Sequence, residues 1–240
     1  MIQIIFRTCD KVGSLNGLPR PFNLTKPEVI RGCFRSLLRA LPKNKPIQIH
    51  LVADDLSSET IGFFDDELEH HSLKENTLVY HDKYGAENSL RKCFELAMQA
   101  DDEDIVYLVE DDYLHIPNSL QPMIKFAETY ACFVHPTDYP DRYTRTEDRF
   151  RRWLIFPGEG VHFREIANST FTFLGKAKLF KEHSSVMFMS CKNSDDGFLS
   201  SMVFGKTPLF SPIPGLATHM HENVMSPFTD WQAIWNEVNI

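Results

Sequence analysis

Segments with the pattern of β-strands alternate with segments of helical periodicity through the first half of the chain. Short apolar runs rich in β-branched residues, typical of buried strands, occur at residues 2–6, 47–53, 77–80 and 105–109. Between the first two runs, Thr25-Lys26-Pro27-Glu28 matches a helix capping box, and apolar residues then recur at helical spacing until Pro42. Strands that alternate with helices pair mainly in parallel through right-handed crossovers. The sequence therefore predicts an α/β fold with a mixed, mainly parallel central sheet flanked by helices.

The second half of the chain carries weaker patterns. They predict a helix starting near Pro117, a strand at 132–135, regular structure again at 169–173, and helices near 176–182 and 196–204. Between them, residues 136–160 are rich in Arg and Tyr, contain Trp153, and lack a core-forming pattern. This segment is predicted to be a mobile lid or substrate loop, with Trp153 stacking on a sugar; a loose, solvated loop is the alternative.

Length and composition limit the class of protein. A chain of 240 residues with 42% hydrophobic residues suits one globular domain spanning 1–240, and no repeat or low-complexity linker divides it. No apolar stretch approaches the roughly 20 residues of a membrane helix, and a signal-sequence pattern is missing. The five cysteines are scattered, with no C-x-x-C pair, which favours a reducing compartment and no structural zinc. We expect a soluble cytoplasmic protein without an integral membrane segment.

The formal net charge of −8 excludes a further class of function. Proteins that bind nucleic acid generally present a basic face that displaces counterions from the phosphates. We therefore expect no nucleic-acid partner, and an anionic ligand would need a bridging cation.

Three consecutive carboxylates, Glu110-Asp111-Asp112, follow the apolar run at 105–109. Because alternate side chains of a strand share a face, Glu110 and Asp112 are predicted to point into one site while Asp111 points away or caps the next turn. Carboxylates of this kind suit Mg²⁺ or Mn²⁺, whose remaining ligands are water and phosphate oxygens. The alternative is a solvated turn after a strand.

Polar residues also follow the other predicted strands, and the carboxyl ends of parallel strands form the usual ligand-binding edge of an α/β sheet. We expect the strand-end residues to gather along this edge: Arg7, Thr8, Asp10, Asp54, Asp55, Glu110, Asp111 and Asp112.

Together these features resemble the GT-A glycosyltransferases, in particular their family 2-like members, which transfer a sugar from a nucleotide diphosphate donor. Glu110-Asp111-Asp112 is similar to the acidic D-x-D type motif of that family. The resemblance implies that Asp112 holds the metal, while Glu110 and Asp111 orient metal waters, ribose or donor sugar. It also implies a nucleotide pocket formed by Arg7, Thr8, Asp10 and Asp54 or Asp55. A carboxylate in that pocket can accept the uracil N–H, which favours a UDP-sugar donor.

The family places an acidic pair at the start of a later helix, and Asp195-Asp196 stands at the matching position. The resemblance implies that Asp196 is the general base that takes the proton of the acceptor hydroxyl. Asp195 would bind the acceptor or serve as the alternative base. Helix N-capping is the structural alternative for this pair. The sequence has Asp-Asp where the family has Glu-Asp, and it shows no N-terminal anchor, which favours a cytoplasmic bacterial or viral setting.

Near the C-terminus, His219 and His221 resemble the late metal-binding histidine of the family, with His219 the preferred ligand. A neutral imidazole suits Mn²⁺ better than Mg²⁺. A histidine pair on a strand is otherwise a surface or core feature. Asn88, in the turn before a predicted helix, is expected near the diphosphate or the donor sugar, or else as a helix cap.

The function expected from this resemblance is metal-dependent transfer of a sugar from a UDP-sugar to a carbohydrate or other hydroxyl acceptor, with inversion. Residues 1–115 would form the nucleotide-binding half, and residues 116–240 the acceptor and catalytic half. One alternative is a nucleotidyltransferase, although the loop after the first strand has Gly13 and Gly17 without the basic pattern of that class. The other alternative is a binding module for nucleotides or carbohydrates that does not catalyse.

Overall fold

A computed structural model describes residues 1–11, 19–144 and 154–239 of the chain. Its strands are β1 (Ile2–Cys9), β2 (Ile47–Asp54), β3 (Thr77–Asp82), β4 (Ile105–Glu110), β5 (Tyr113–His115), β6 (Phe133–Val134), β7 (Ile155–Pro157), β8 (His162–Ile166), β9 (Phe173–Lys176), β10 (Leu209–Ile213) and β11 (Ala217–His219). The longer helices are α1 (Lys26–Ala40), α2 (Ser58–His70), α3 (Gly85–Gln99) and α4 (Leu120–Tyr130). Shorter helices span Asp141–Thr144, Ala177–Glu182, Ser184–Ser190, Asp196–Leu199 and Trp231–Val238.

Within these described ranges, nine strands form one mixed sheet in the order β3-β2-β1-β4-β9-β6-β10-β8-β7. The first four strands pair in parallel, and β9 and β8 run against the other strands of the sheet. A separate two-stranded sheet joins β5 to β11. The predicted α/β class, a mixed and mostly parallel sheet flanked by helices, is confirmed.

Helices cover both faces of the parallel part of the sheet. On one face, α1 buries Phe34 against Phe6 of β1, with ring centroids 5.1 Å apart, and against Phe64 of α2 at 4.7 Å. On the other face, Phe94 of α3 packs in a core cluster with Ile5 of β1. Alternate residues of β1 thus enter different cores, because successive side chains of a strand point to opposite faces. This three-layer arrangement fixes the carboxyl ends of β1, β2 and β4 along one edge.

The strands predicted in the first half are all present, and so is the capping box: Thr25 accepts from the backbone of Glu28, whose carboxylate accepts from the Thr25 amide. The helix predicted near Pro117 begins at Leu120. Regular structure was predicted to resume at 169–173, but it begins only at the last of these residues, with the strand Phe173–Lys176. The preceding loop is held by side-chain hydrogen bonds, including one from the Glu110 amide to Thr172 Oγ1 at 3.1 Å.

The helix predicted near 196–204 is divided into an α-helical turn, Asp196–Leu199, and a π-helical turn, Ser200–Phe204. In the segment 136–160, the described residues include the helix Asp141–Thr144 and the buried Asp138. Trp153 and the residues from Arg145 onward to it lie outside the described residues, so the lid remains a prediction. The division into halves at 115 also remains a prediction. None of the described helices has the length and apolar character needed to cross a membrane.

Candidate functional site

A pocket of about 310 Å³ lies beyond the carboxyl ends of β1, β2 and β4. We call it the strand-end pocket. Its walls include most of the site residues predicted from the sequence: Arg7, Thr8, Asp54, Glu110, Asp111, Asp112, Asp196, His219 and His221. The ends of β1, β2 and β4 and the turn after β4 supply the first six, while the second half of the chain supplies the last three.

The acidic run after β4 lines this pocket with all three of its members. The prediction that Asp111 points away is wrong, because β4 ends at Glu110 and the chain turns there, so the strand alternation no longer applies. Asp111 accepts a hydrogen bond from the Cys9 amide at 3.0 Å and pairs with the Lys26 ammonium. It therefore joins α1 to the end of β1.

Asp112 lies between two histidines. Its Oδ2 atom is 3.2 Å from His219 Nε2 and 3.1 Å from His221 Nε2. Antiparallel pairing of β5 with β11 produces this arrangement, since His219 is in register with Tyr113 and the Met220 amide donates to the Asp112 carbonyl at 2.8 Å.

The three side chains could hold a divalent cation. One potential ligand atom from each lies within 4.8 Å of the others. Asp112 Oδ1 and His221 Nδ1 are buried and have no hydrogen-bond partner among the described residues. A carboxylate with two imidazoles is a donor set that suits Mn²⁺ and other first-row cations better than Mg²⁺. The opposite nitrogen of His219, Nδ1, lies 3.2 Å from the Tyr139 hydroxyl, which orients the imidazole ring.

The charges of the cluster are mutually dependent. Burial opposes ionisation of Asp112, but the adjacent His219 and the hydrogen bonds from both histidines outweigh it and hold the pKa of Asp112 well below its usual range. Burial likewise opposes protonation of His219, whereas Asp112 favours it and raises the pKa of the imidazole. Burial raises the pKa of Glu110, although Arg7 opposes this effect. A cation and a histidine proton would therefore compete for the same carboxylate.

Arg7 and Asp54 organise the other end of the pocket. The Arg7 guanidinium donates to Ser89 Oγ at 3.0 Å, to Glu110 at 3.2 Å and to the Ala86 carbonyl at 2.8 Å. Asp54 accepts from the Gly85 amide at 3.0 Å, and Gly85 has a φ of 72°, which glycine adopts without strain. Thr8 Oγ1 is buried without a hydrogen-bond partner among the described residues. These contacts hold the start of α3 against the strand ends.

Four predicted residues are not among those that line the strand-end pocket. Asp10 accepts from the Ser57 amide at the start of α2, and Asp55 pairs with Lys11 and Lys83. Asn88 donates to the Tyr84 carbonyl at 3.0 Å. Asp195 accepts from the Phe198 amide at 2.8 Å, so it is the N-cap of the helix Asp196–Leu199. Each of these side chains has a local structural partner.

Asp196, the next residue, lines both the strand-end pocket and a second cavity of about 320 Å³. Desolvation by the surrounding protein raises the pKa of its carboxyl group, and the neighbouring Asp195 adds to this effect. A carboxylate with a raised pKa is a stronger base than an ordinary aspartate, so the arrangement is suited to accepting a proton.

Sequence reasoning missed Lys26, which lines the pocket and pairs with Asp111. A signal was present, because a lysine in the first turn of a helix is opposed by the helix dipole and so indicates an acidic partner nearby. The Lys26 side chain is 12% exposed and that of Asp111 is 8% exposed, so the ion pair is largely buried.

We expect the substitution Lys26→Met to lower the free energy of unfolding by about 3 kcal/mol, because it leaves a buried carboxylate unpaired. Urea denaturation measures this change. Lys45→Met is the matched control: Lys45 pairs with Glu128 at the surface, and its removal should cost less than about 1 kcal/mol. Equal effects of the two substitutions would contradict the burial argument.

Comparisons with known proteins support the fold. No family model matches the chain, and no curated protein matches it. Among solved structures, the chain is similar to the galactosyltransferase LgtC in complex with donor and acceptor sugar analogues, with a TM-score of 0.50 and 12% identity, covering 84% of this chain and 70% of that one. It is also similar to a UDP-glucose pyrophosphorylase complexed with UDP-glucose, with a TM-score of 0.51 and 12% identity, covering 100% and 98%. The chain therefore has a GT-A-like α/β fold.

Proposed function

We propose that the chain is a metal-dependent glycosyltransferase that moves a sugar from a nucleotide diphosphate donor, a UDP-sugar, to an acceptor hydroxyl. The observation that carries this proposal is the presence, in one pocket, of the Asp112, His219 and His221 cluster together with Asp196. A cation site and a carboxylate base are the two groups that such a transfer needs.

Each wall of the strand-end pocket has a role in this proposal. Thr8 and Asp54 hold the nucleoside at the ends of β1 and β2, while Arg7 fixes the position of Glu110. Asp112 and His219 hold the cation, with His221 as the third ligand. A bound Mn²⁺ would stabilise the negative charge that develops on the departing diphosphate. Lys26 lines the same pocket, where it is paired with Asp111.

Asp196 performs the proton transfer. The acceptor oxygen forms a bond to the anomeric carbon, the bond from that carbon to the diphosphate oxygen breaks, and the hydroxyl proton passes to the Asp196 carboxylate. The raised pKa of Asp196 favours this transfer. Attack from the face opposite the leaving group inverts the anomeric carbon, and inversion is part of the proposal.

A nucleotidyltransferase is the second candidate, because the same fold occurs in the UDP-glucose pyrophosphorylase structure. Such an enzyme would form a nucleoside triphosphate and a sugar 1-phosphate when given a nucleotide sugar and pyrophosphate, whereas a glycosyltransferase without its acceptor would slowly transfer the sugar to water and release the nucleoside diphosphate. A binding module without catalysis would do neither. Incubation with a UDP-sugar, with and without pyrophosphate, separates the three.

The direct test of the donor is a thermal-shift measurement with nucleoside diphosphates, with and without Mn²⁺. At 100 times its dissociation constant, UDP should stabilise the protein by about 2.7 kcal/mol, which raises Tm by roughly 5–10 °C for a chain of this size. The shift should require Mn²⁺ and disappear with EDTA. If no nucleotide shifts Tm at saturating metal, the proposed function is wrong.

A further inference from the structure

The second cavity adjoins the strand-end pocket. The two share Thr170, Asp196 and His219, so Asp196 stands on the wall between them. Beyond Pro140 and Asn223, the second cavity adjoins an open third cavity of about 590 Å³. The three cavities therefore adjoin one another in series, starting at Asp196, and we call this series the groove.

An exposed aromatic pair, Tyr143 and Phe228, follows closely in the chain after residues that line this groove, since Tyr143 follows Arg142 of the second cavity and Phe228 lies shortly after Met225 of the third. Phe228 is 77% exposed, and its ring meets that of Tyr143 edge to face, with centroids 5.6 Å apart. Phe228 also has a φ of 70°, in the left-handed region, which is strained for a bulky side chain. Strained residues are concentrated at active sites and ligand-binding positions. Both features of Phe228 thus suggest a bound partner.

The other ring of the pair is fixed from beneath. The Tyr143 hydroxyl donates to the buried carboxylate of Asp138, and the Arg164 guanidinium lies 4.8 Å from the centre of the Tyr143 ring. Asp138 and Arg164 form a buried ion pair with each other. A ring held in this way loses little conformational entropy when a ligand binds.

The short helix Asp141–Thr144 connects the pair to the groove. It contributes Asp141 and Arg142 to the wall of the second cavity, and Tyr143 to the exposed pair. In the same cavity, Asn168 Oδ1 is buried without a hydrogen-bond partner among the described residues. The groove thus has polar walls near Asp196, and the helix that supplies part of those walls also carries Tyr143 of the aromatic pair.

We propose that Tyr143 and Phe228 bind a sugar ring of the acceptor, outward of the ring whose hydroxyl reacts, so that the acceptor is an oligosaccharide and not a single sugar. This inference rests on the proposed glycosyltransferase function. One face of a sugar ring presents C–H groups of slight positive charge, which suit the negative face of an aromatic ring. Its hydroxyl groups suit polar walls such as those of the second cavity.

The test is binding to an immobilised array of glycans, each present as a series from monosaccharide to hexasaccharide. We expect wild-type protein to retain at least one series, with affinity for the longer members roughly tenfold above that for the monosaccharide. Phe228→Ala should lose this increase of affinity with chain length, and Phe228→Trp should keep it. Leu78→Ala is the matched control, since Leu78 is an exposed apolar residue, 50% exposed, on edge strand β3.

Retention of no glycan, affinity independent of chain length, or unchanged binding by Phe228→Ala would each overturn the inference. The UDP and Mn²⁺ thermal shift is measured separately on the same variants. If the wild type shows the UDP shift but no length-dependent glycan binding, the aromatic site is wrong and the glycosyltransferase proposal stands. If it binds glycans with length dependence but shows no UDP shift, the glycosyltransferase proposal is wrong.

Discussion

The substitution Asp112→Asn is expected to abolish Mn²⁺ binding at the strand-end pocket and to lower sugar transfer roughly 1,000-fold. Asparagine keeps the size of the side chain but removes the charge that faces His219 and His221 at 3.2 and 3.1 Å. The charge stabilisation supplied by a bound cation is worth several kcal/mol, and about 4 kcal/mol corresponds to that factor in rate. Calorimetric titration with Mn²⁺ measures the binding without any need for turnover.

Asp101→Asn is the matched control for this change. Asp101 is an exposed residue of the turn before β4, at the other end of the same strand, so its replacement removes one charge from the chain without touching the pocket. We expect Asp101→Asn to bind Mn²⁺ as the wild type does. If Asp112→Asn retained wild-type Mn²⁺ affinity, the metal site would have to be assigned elsewhere.

The substitution Asp196→Asn is expected to lower kcat between roughly 100-fold and 10,000-fold, the range for loss of a general base. The UDP-dependent thermal shift should be unchanged, because the cation cluster is intact. In the wild type, kcat/KM should rise with pH through the raised pKa of Asp196, since the base must be deprotonated to accept the proton. The variant should lose this acid limb of the pH profile.

The substitution Asp195→Asn distinguishes the residue that acts as general base from the residue that caps the helix. Asp195 caps the helix Asp196–Leu199 through its hydrogen bond with the Phe198 amide, and asparagine is an equally good N-cap. We therefore expect transfer by Asp195→Asn within a few-fold of wild type. If Asp195→Asn lowered the transfer rate severely and Asp196→Asn lowered it only slightly, Asp195 would be the general base and Asp196 would not.

The local elements were predictable because local patterns determine them. The capping box at Thr25 and Glu28, and the apolar period that follows, predicted α1 with its correct beginning. The strands of the parallel sheet were found for the same reason, since each is a short apolar run with clear ends. Regular structure was predicted too early, at 169–173, because side-chain hydrogen bonds, such as that of Thr172, replace part of the backbone ladder in the loop before β9.

The sequence by itself therefore determined the α/β class, and it predicted the edge at which polar strand ends meet and the residues that would hold a cation. Only the tertiary structure decided that Asp111 turns into the pocket toward Lys26, that Asp112 lies between His219 and His221, and which acids serve local caps instead. The physical reason is sequence separation. Strand and helix patterns depend on neighbours a few residues apart, whereas the pairing of β5 with β11 joins segments about 100 residues apart, and no local periodicity encodes it.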